Sequence, residues 1–132
     1  MTSRSTRLLL VEDHVDTATT LIRLLQKSGH EVIHASGVAD AVVFAEREMR
    51  AAGLDLVLSD LALADGSGLD MMRKFSSKYG LRGIALTGFG MDSDRAASAE
   101  AGFSRHLTKP FAIETLRQAI DELIEPALQI YA

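Results

Sequence analysis

The sequence predicts an α/β fold: a doubly wound, five-stranded parallel sheet with helices on both faces. Three observations predict it. Short apolar runs alternate five times with stretches of helical periodicity. No connection exceeds a short loop plus one helix. The run Leu54-Asp55-Leu56-Val57-Leu58-Ser59 is apolar enough for an interior strand, yet it ends on the carboxylate of Asp60. In an open parallel sheet the carboxyl ends of the strands line the reactive crevice.

Leu8-Leu9-Leu10-Val11 fits a short buried strand or a buried helix segment by periodicity alone. Its shortness and the abrupt change to Glu12-Asp13-His14 favour a central strand. A helix follows from Val15 or Asp16, with Ala18, Leu21, Ile22 and Leu25 on one face, and Gly29 ends it. Glu31 to Ala35 is a second strand, polar at its start and so nearer an edge. Ser36 is placed to cap the second helix. Val38, Ala41, Val42, Ala45 and Met49 mark its inner face, Glu46, Arg47, Glu48 and Arg50 its wet side, and Gly53 closes it. Leu54 to Ser59 is the third strand, buried on both faces.

A third helix spans about Gly68 to Lys78, with Leu69, Met72 and Phe75 inward and Gly80 as its stop. Gly83 to Thr87 is the fourth strand, and Gly88-Phe89-Gly90 a flexible loop. Asp92 or Ser93 would cap a fourth helix that runs to Ala101. Its apolar content is only alanine, so light packing and high mobility are expected. Phe103 to Leu107 is a weak fifth strand. Ile113, Leu116, Ile120, Leu123 and Ile124 give the clearest helical stripe of the chain, and Pro126 would end or bend that helix. The domain is thus read as residues 8–125, between a flexible lead-in (1–7) and a tail or linker remnant (126–132).

The 132 residues fit one domain, and a net charge of -4 offers no basic field for nucleic acid or an anionic membrane. The absence of cysteine excludes disulfides and thiolate chemistry. Neither a bilayer-spanning stretch nor a secretory leader is evident, which points to a cytoplasmic protein.

The acids carry the chemistry. Glu12 and Asp13 follow one central strand and Asp60 another, so the fold would bring three carboxylates together. Acids in loops are common, and Glu12-Asp13 also suit a helix cap. Clustered, however, they repel one another unless a cation joins them. Hard oxygen ligands without sulfur select Mg2+ or a similar divalent ion. Thr87 and Lys109 suit a β-branched strand residue and a loop lysine; around a phosphoryl group they supply a hydroxyl donor and an ammonium. Gly88 leaves room beside them, and an aspartate can form an aspartyl-phosphate.

The segments LLLVEDH, LVLSDLALADGSGLD, IALTGFG and HLTKPF stand in that order and spacing, and from Leu8 to about Ile124 the chain resembles a response-regulator receiver domain. The resemblance implies a flavodoxin-like (CheY-like) topology. It implies Asp60 as phosphoacceptor and Asp13 as a direct Mg2+ ligand, with Glu12 acting through water and the backbone carbonyl of Ala62 as a further ligand. Mn2+ would substitute. It implies Thr87 as the switch hydroxyl and Lys109, before Pro110, as the phosphoryl-binding lysine. The sequence departs from the family pattern at Ala64, where proline is frequent, and at His106, where an aromatic switch residue is common. HLTKP resembles receivers attached to hybrid histidine kinases, and His106 is a switch candidate. His14, His30 and His34 read as a loop residue beside the site and ordinary surface or strand residues.

The implied function is that of a two-component signalling module. Asp60 would take a phosphoryl group from a phosphohistidine on a histidine kinase or histidine phosphotransfer protein, with slow dephosphorylation rather than conventional enzymatic turnover. Its switching face would comprise the fourth helix, fifth strand and last helix, for a downstream protein or a weak homodimer, with no direct nucleic-acid or membrane partner. The alternative is an adaptor that binds partners independently of phosphorylation. A phosphatase passing through aspartyl-phosphate would want an acid where Ala62 stands. A dinucleotide-binding domain would want glycines where Glu12-Asp13-His14 stand.

Overall fold

The computed structural model describes residues 6–88 and 94–129. The chain runs β1 (Arg7–Val11), α1 (Val15–Lys27), β2 (Glu31–Ala35), α2 (Val38–Arg50), β3 (Leu56–Asp60), β4 (Ala62–Leu63), β5 (Gly66–Ser67), α3 (Gly68–Tyr79), β6 (Arg82–Thr87), α4 (Asp94–Ala101), β7 (Phe103–Thr108) and α5 (Ile113–Gln129). Five strands form one parallel sheet in the order β2-β1-β3-β6-β7. Its order reverses between β1 and β3, so the crevice at their carboxyl ends lies between Glu12-Asp13 and Asp60.

Strand periodicity builds two cores. Leu9, Val11, Val57 and Ala85 pack with Ala41, Ala45, Met72, Phe75 and Ala101 of α2, α3 and α4. Leu8, Leu10, Leu56, Leu58, Ile84 and Leu86 face the other way, onto Ala18, Leu21 and Leu25 of α1 and Leu116 and Ile120 of α5. Adjacent strand residues point to opposite faces, so a continuous apolar run is what a sheet covered on both sides requires.

Several details depart from the sequence reading. β4 and β5 form an antiparallel two-residue hairpin within what reads as a loop. Arg7 belongs to the first strand, not to the lead-in. Its N–H donates to Asp55 Oδ2 at 2.7 Å, its Nε to the Gly53 carbonyl at 2.7 Å, and its guanidinium pairs with Glu31 and Glu48. Glu48 is therefore half-buried rather than on the wet side, whereas Val42 is exposed.

Ser36 does not cap α2. The cap position is Gly37, without a side-chain bond of its own, and the Ser36 hydroxyl instead donates to Asp40 Oδ2 at 3.2 Å. α5 continues through Pro126 to Gln129, so the proline does not end the helix. The expected loop residues Phe89 and Gly90 and the expected caps Asp92 and Ser93 lie outside the described residues. No helix among those described is long and apolar enough to cross a membrane.

Candidate functional site

β3 delivers Asp60 to the crevice because its body is wholly buried: Leu56, Val57, Leu58 and Ser59 are inaccessible, while the Asp60 side chain keeps 14% exposure. The backbone there is fixed closely. The Ser59 hydroxyl donates to the Asp60 carbonyl at 2.7 Å, and Gly68 N–H donates to the Leu61 carbonyl at 2.9 Å. A Cβ on Gly68 would overlap the Asp60 carbonyl oxygen, so α3 can start against this strand end only with glycine there. Ser67 caps α3 by accepting from Leu69 N–H and Asp70 N–H at 3.2 and 3.3 Å.

Lys109 joins the two acidic segments. Its Nζ donates to Glu12 Oε1 at 2.8 Å and to Asp60 Oδ2 at 3.1 Å. Among the described residues, Asp60 Oδ1 receives only a long 3.4 Å contact from Ala62 N–H. The Lys109 backbone is tied to the neighbouring strand, its N–H donating to the Thr87 carbonyl at 2.7 Å, and the Lys109–Pro110 peptide is cis.

Glu12 is completely buried. Burial pushes its carboxyl up, but the Lys109 hydrogen bond and contacts from His14 outweigh this and hold it below the usual carboxylate range. Burial likewise pulls the Lys109 ammonium down, and the bonds and charges of Glu12 and Asp60 reverse the sign, leaving it raised.

Asp13 extends beside them. Its Oδ2 accepts from Ala64 N–H at 3.2 Å. Its Oδ1 is buried and accepts no hydrogen bond among the described residues, although His14 Nδ1 lies 3.2 Å away. A buried carboxylate oxygen left without a donor suits a cation, so the donor set fits a hard divalent ion. Glu12, Asp13 and His14 each offer a ligand atom within 4.8 Å of the others.

Thr87 is buried, and its Oγ1 lies 3.0 Å from His106 Nε2 in a hydrogen bond. The register pairs His106 with Ala85 and Thr87 with Thr108, so the imidazole reaches across the β6–β7 ladder. Among the described residues, a Cβ on Gly88 would meet nothing within 4 Å.

The fold thus gathers Glu12, Asp13, Asp60 and Lys109 at one crevice, with Thr87 and His106 bonded to each other on the adjoining strands. His14 contacts the acids but its side chain is 76% exposed. His34, by sequence an ordinary surface or strand residue, brings its Nε2 to 2.9 Å from the Glu12 carbonyl. Its place at the carboxyl end of the strand beside β1 was the available signal.

A family model described as the response regulator receiver domain matches residues 8–121. The transcriptional regulatory protein GlrR of Escherichia coli K12 is 31% identical over 126 residues, covering 95% of this chain and 28% of that protein. The chain therefore spans under a third of that relative. A 14.6 kDa protein encoded in the sodA1 3' region of Leptolyngbya boryana is 32% identical over 106 residues, 78% of each chain. A receiver-domain crystal structure from Clostridium thermocellum superposes with a TM-score of 0.86 over 95% of this chain and 98% of that one, at 23% identity, a likeness of fold.

Proposed function

Because the chain belongs to the response regulator receiver domain family of two-component signalling, we propose that Asp60 is its phosphoacceptor and that phosphorylation there switches a partner-binding face. The observation that carries this reading is the Lys109 ammonium shared between Glu12 and Asp60 at the end of β3. It places a positive charge against an acid whose other oxygen receives, among the described residues, only the long Ala62 contact.

Receiver domains of response regulators interact with histidine kinases or histidine phosphotransfer proteins, and such a phosphohistidine is the proposed donor. Asp60 attacks phosphorus; an O–P bond forms as the P–N bond breaks, and the imidazole leaves with its electron pair. Lys109 then meets the charge on the phosphoryl oxygens. Receiver domains generally bind Mg2+ at an acidic pocket. Here Asp13, Asp60 and the Ala62 carbonyl would hold it, with Glu12 acting through water, and it supplies positive charge to the phosphoryl oxygens. Both Glu12 oxygens already have partners in Lys109 and His14, which supports an indirect role.

The switch starts at Thr87. Its hydroxyl is engaged by His106, and donation to a phosphoryl oxygen requires it to turn. With His106 Nε2 as the acceptor of this bond, a forming phosphoryl group and His106 compete for the one hydroxyl proton. Loss of that bond releases β7, and α4, β7 and α5 shift between two nearby states. Their surface is the proposed contact for a downstream protein or a weak homodimer. Water returns Asp60 slowly to the free acid.

Incubation with Mg2+ and acetyl phosphate, read by intact mass, tests the reading. One Mg2+-dependent phosphoryl adduct is expected, absent in Asp60→Asn. No adduct from either acetyl phosphate or a phosphorylated partner kinase would favour a phosphorylation-independent adaptor.

A further inference from the structure

We propose that Asp65 is a positioning residue of the phosphoacceptor site: its carboxylate clamps the β4–β5 turn to the start of α2 and thereby holds the backbone groups that meet Asp13 and the cation. The proposal rests on the Mg2+ reading above for its functional consequence, and on geometry for the clamp.

The N–H groups of the first helical turn have no partners within the helix. In α2 two of them are satisfied from a distant loop. Val38 N–H donates to Asp65 Oδ1 at 2.8 Å, and Ala39 N–H donates to Asp65 Oδ2 at 3.0 Å. No side chain beside the helix start does this, since the cap position is Gly37. A carboxylate at a helix N-terminus also meets the positive end of the helix dipole. The bonds from Ala39 and Val38 hold the Asp65 carboxyl below its usual range.

Hairpin and helix touch as well as bond. A Cβ on Gly66 would come within 3.3 Å of Val38 Cγ2, and one on Gly37 within 2.7 Å of Asp65 Oδ1. Absence of a side chain at both positions lets the two segments close.

The clamp lies one residue from the site. Ala64 N–H donates to Asp13 Oδ2 at 3.2 Å, and Ala62, two residues earlier, carries the carbonyl proposed for the metal. Position 64 is alanine, so no pyrrolidine ring fixes φ there. The turn is held from both sides instead, by Asp13 at Ala64 and by α2 at Asp65. Freeing the second anchor leaves the turn to the Asp13 contact and the two residue pairs of the short hairpin.

Two substitutions break the clamp by different routes. Asp65→Ala removes the carboxylate. Gly37→Ala leaves Asp65 in place but evicts its oxygen; the Gly37 backbone is extended at φ -168, so alanine itself is unstrained there. Asp65→Asn keeps one acceptor oxygen and should recover part of the effect, and Ser36→Ala changes a neighbouring hydroxyl outside the clamp. Calorimetric Mg2+ titration should show Kd weakened about tenfold in Asp65→Ala and Gly37→Ala, the lower end of the effect of groups that orient metal ligands, and unchanged in Ser36→Ala. In metal-free protein the Ala64 amide should exchange faster with solvent in the same two variants.

Unchanged Ala64 exchange in Asp65→Ala would overturn the clamp. Lost α2 protection with unaltered Kd would reduce Asp65 to a helix cap and overturn its positioning role. Should the unsubstituted protein bind no Mg2+, the metal reading fails, and Ala64 exchange alone decides the clamp.

Discussion

Glu12 is a fully buried charge, and Lys109 is what makes it tolerable. Burial opposes ionisation of the carboxyl, and the ammonium reverses that preference. The lowered Glu12 contributes stability that is complete above its ordinary 4.5 and is lost as pH falls through the depressed value. The raised Lys109 contributes stability that is complete below its ordinary 10.5 and is lost as pH rises through the elevated value. The pair therefore supports the metal-free fold across the whole neutral range. In Lys109→Ala burial prevails: the Glu12 carboxyl should titrate above its ordinary value, and stability at neutral pH should drop by about 3 kcal/mol. Carboxyl NMR titration and urea unfolding check both; a Glu12 that still titrates low would contradict the pairing. The same variant should keep Mg2+ binding, since Lys109 is not among the proposed ligands, yet respond weakly to phosphorylation. At His106, replacement by leucine should leave Asp60 phosphorylation intact while blunting the spectral change of β7 and α5; an undiminished change would remove His106 from the switch.

At the scale of elements, the carboxyl ends of β1 and β3 were legible because each apolar run stops abruptly on acids, and strand periodicity does the rest. The amino ends were not. Arg7 reads as one more polar residue of a lead-in, yet its guanidinium pairs with Glu31 and Glu48 and its Nε reaches the Gly53 carbonyl, across β2, α2 and the approach to β3. Those partners are distant in sequence, and no local propensity reports them. Arg7→Ala should cost about 2 kcal/mol in chemical denaturation, since the Gly53 carbonyl loses its charged donor and half-buried Glu48 is left with the exposed Arg47 as counter-charge. A loss below about 0.5 kcal/mol, the scale of a solvated surface pair, would contradict that account. α4 stands at the other extreme. Of its residues 95–101 only Ser98 and Ala101 are buried, against three or four buried anchors in α1 and α3. Its amides should exchange before those of α1 and α3. An equally protected α4 would argue against its moving when Thr87 turns.

For the whole molecule, the alternation of strands and helices was sufficient for the doubly wound architecture, because short connections and a sheet covered on both faces leave few arrangements. The strand reversal then places Glu12, Asp13 and Asp60 at one crevice without further information. What sequence could not convey is which atoms pair there: that Lys109 spans Glu12 and Asp60, that His106 holds Thr87, and that Asp65 caps α2 from another loop. Each depends on side-chain direction between segments that only the closed fold brings together. The crevice is proposed to form an acyl phosphate on Asp60. Treating the phosphorylated protein with borohydride reduces an aspartyl-phosphate to homoserine, which peptide mass mapping locates. Homoserine is expected at position 60 alone, formed only when Mg2+ was present during phosphorylation. Homoserine at another aspartate, or a phosphoryl adduct that yields none at position 60, would contradict it.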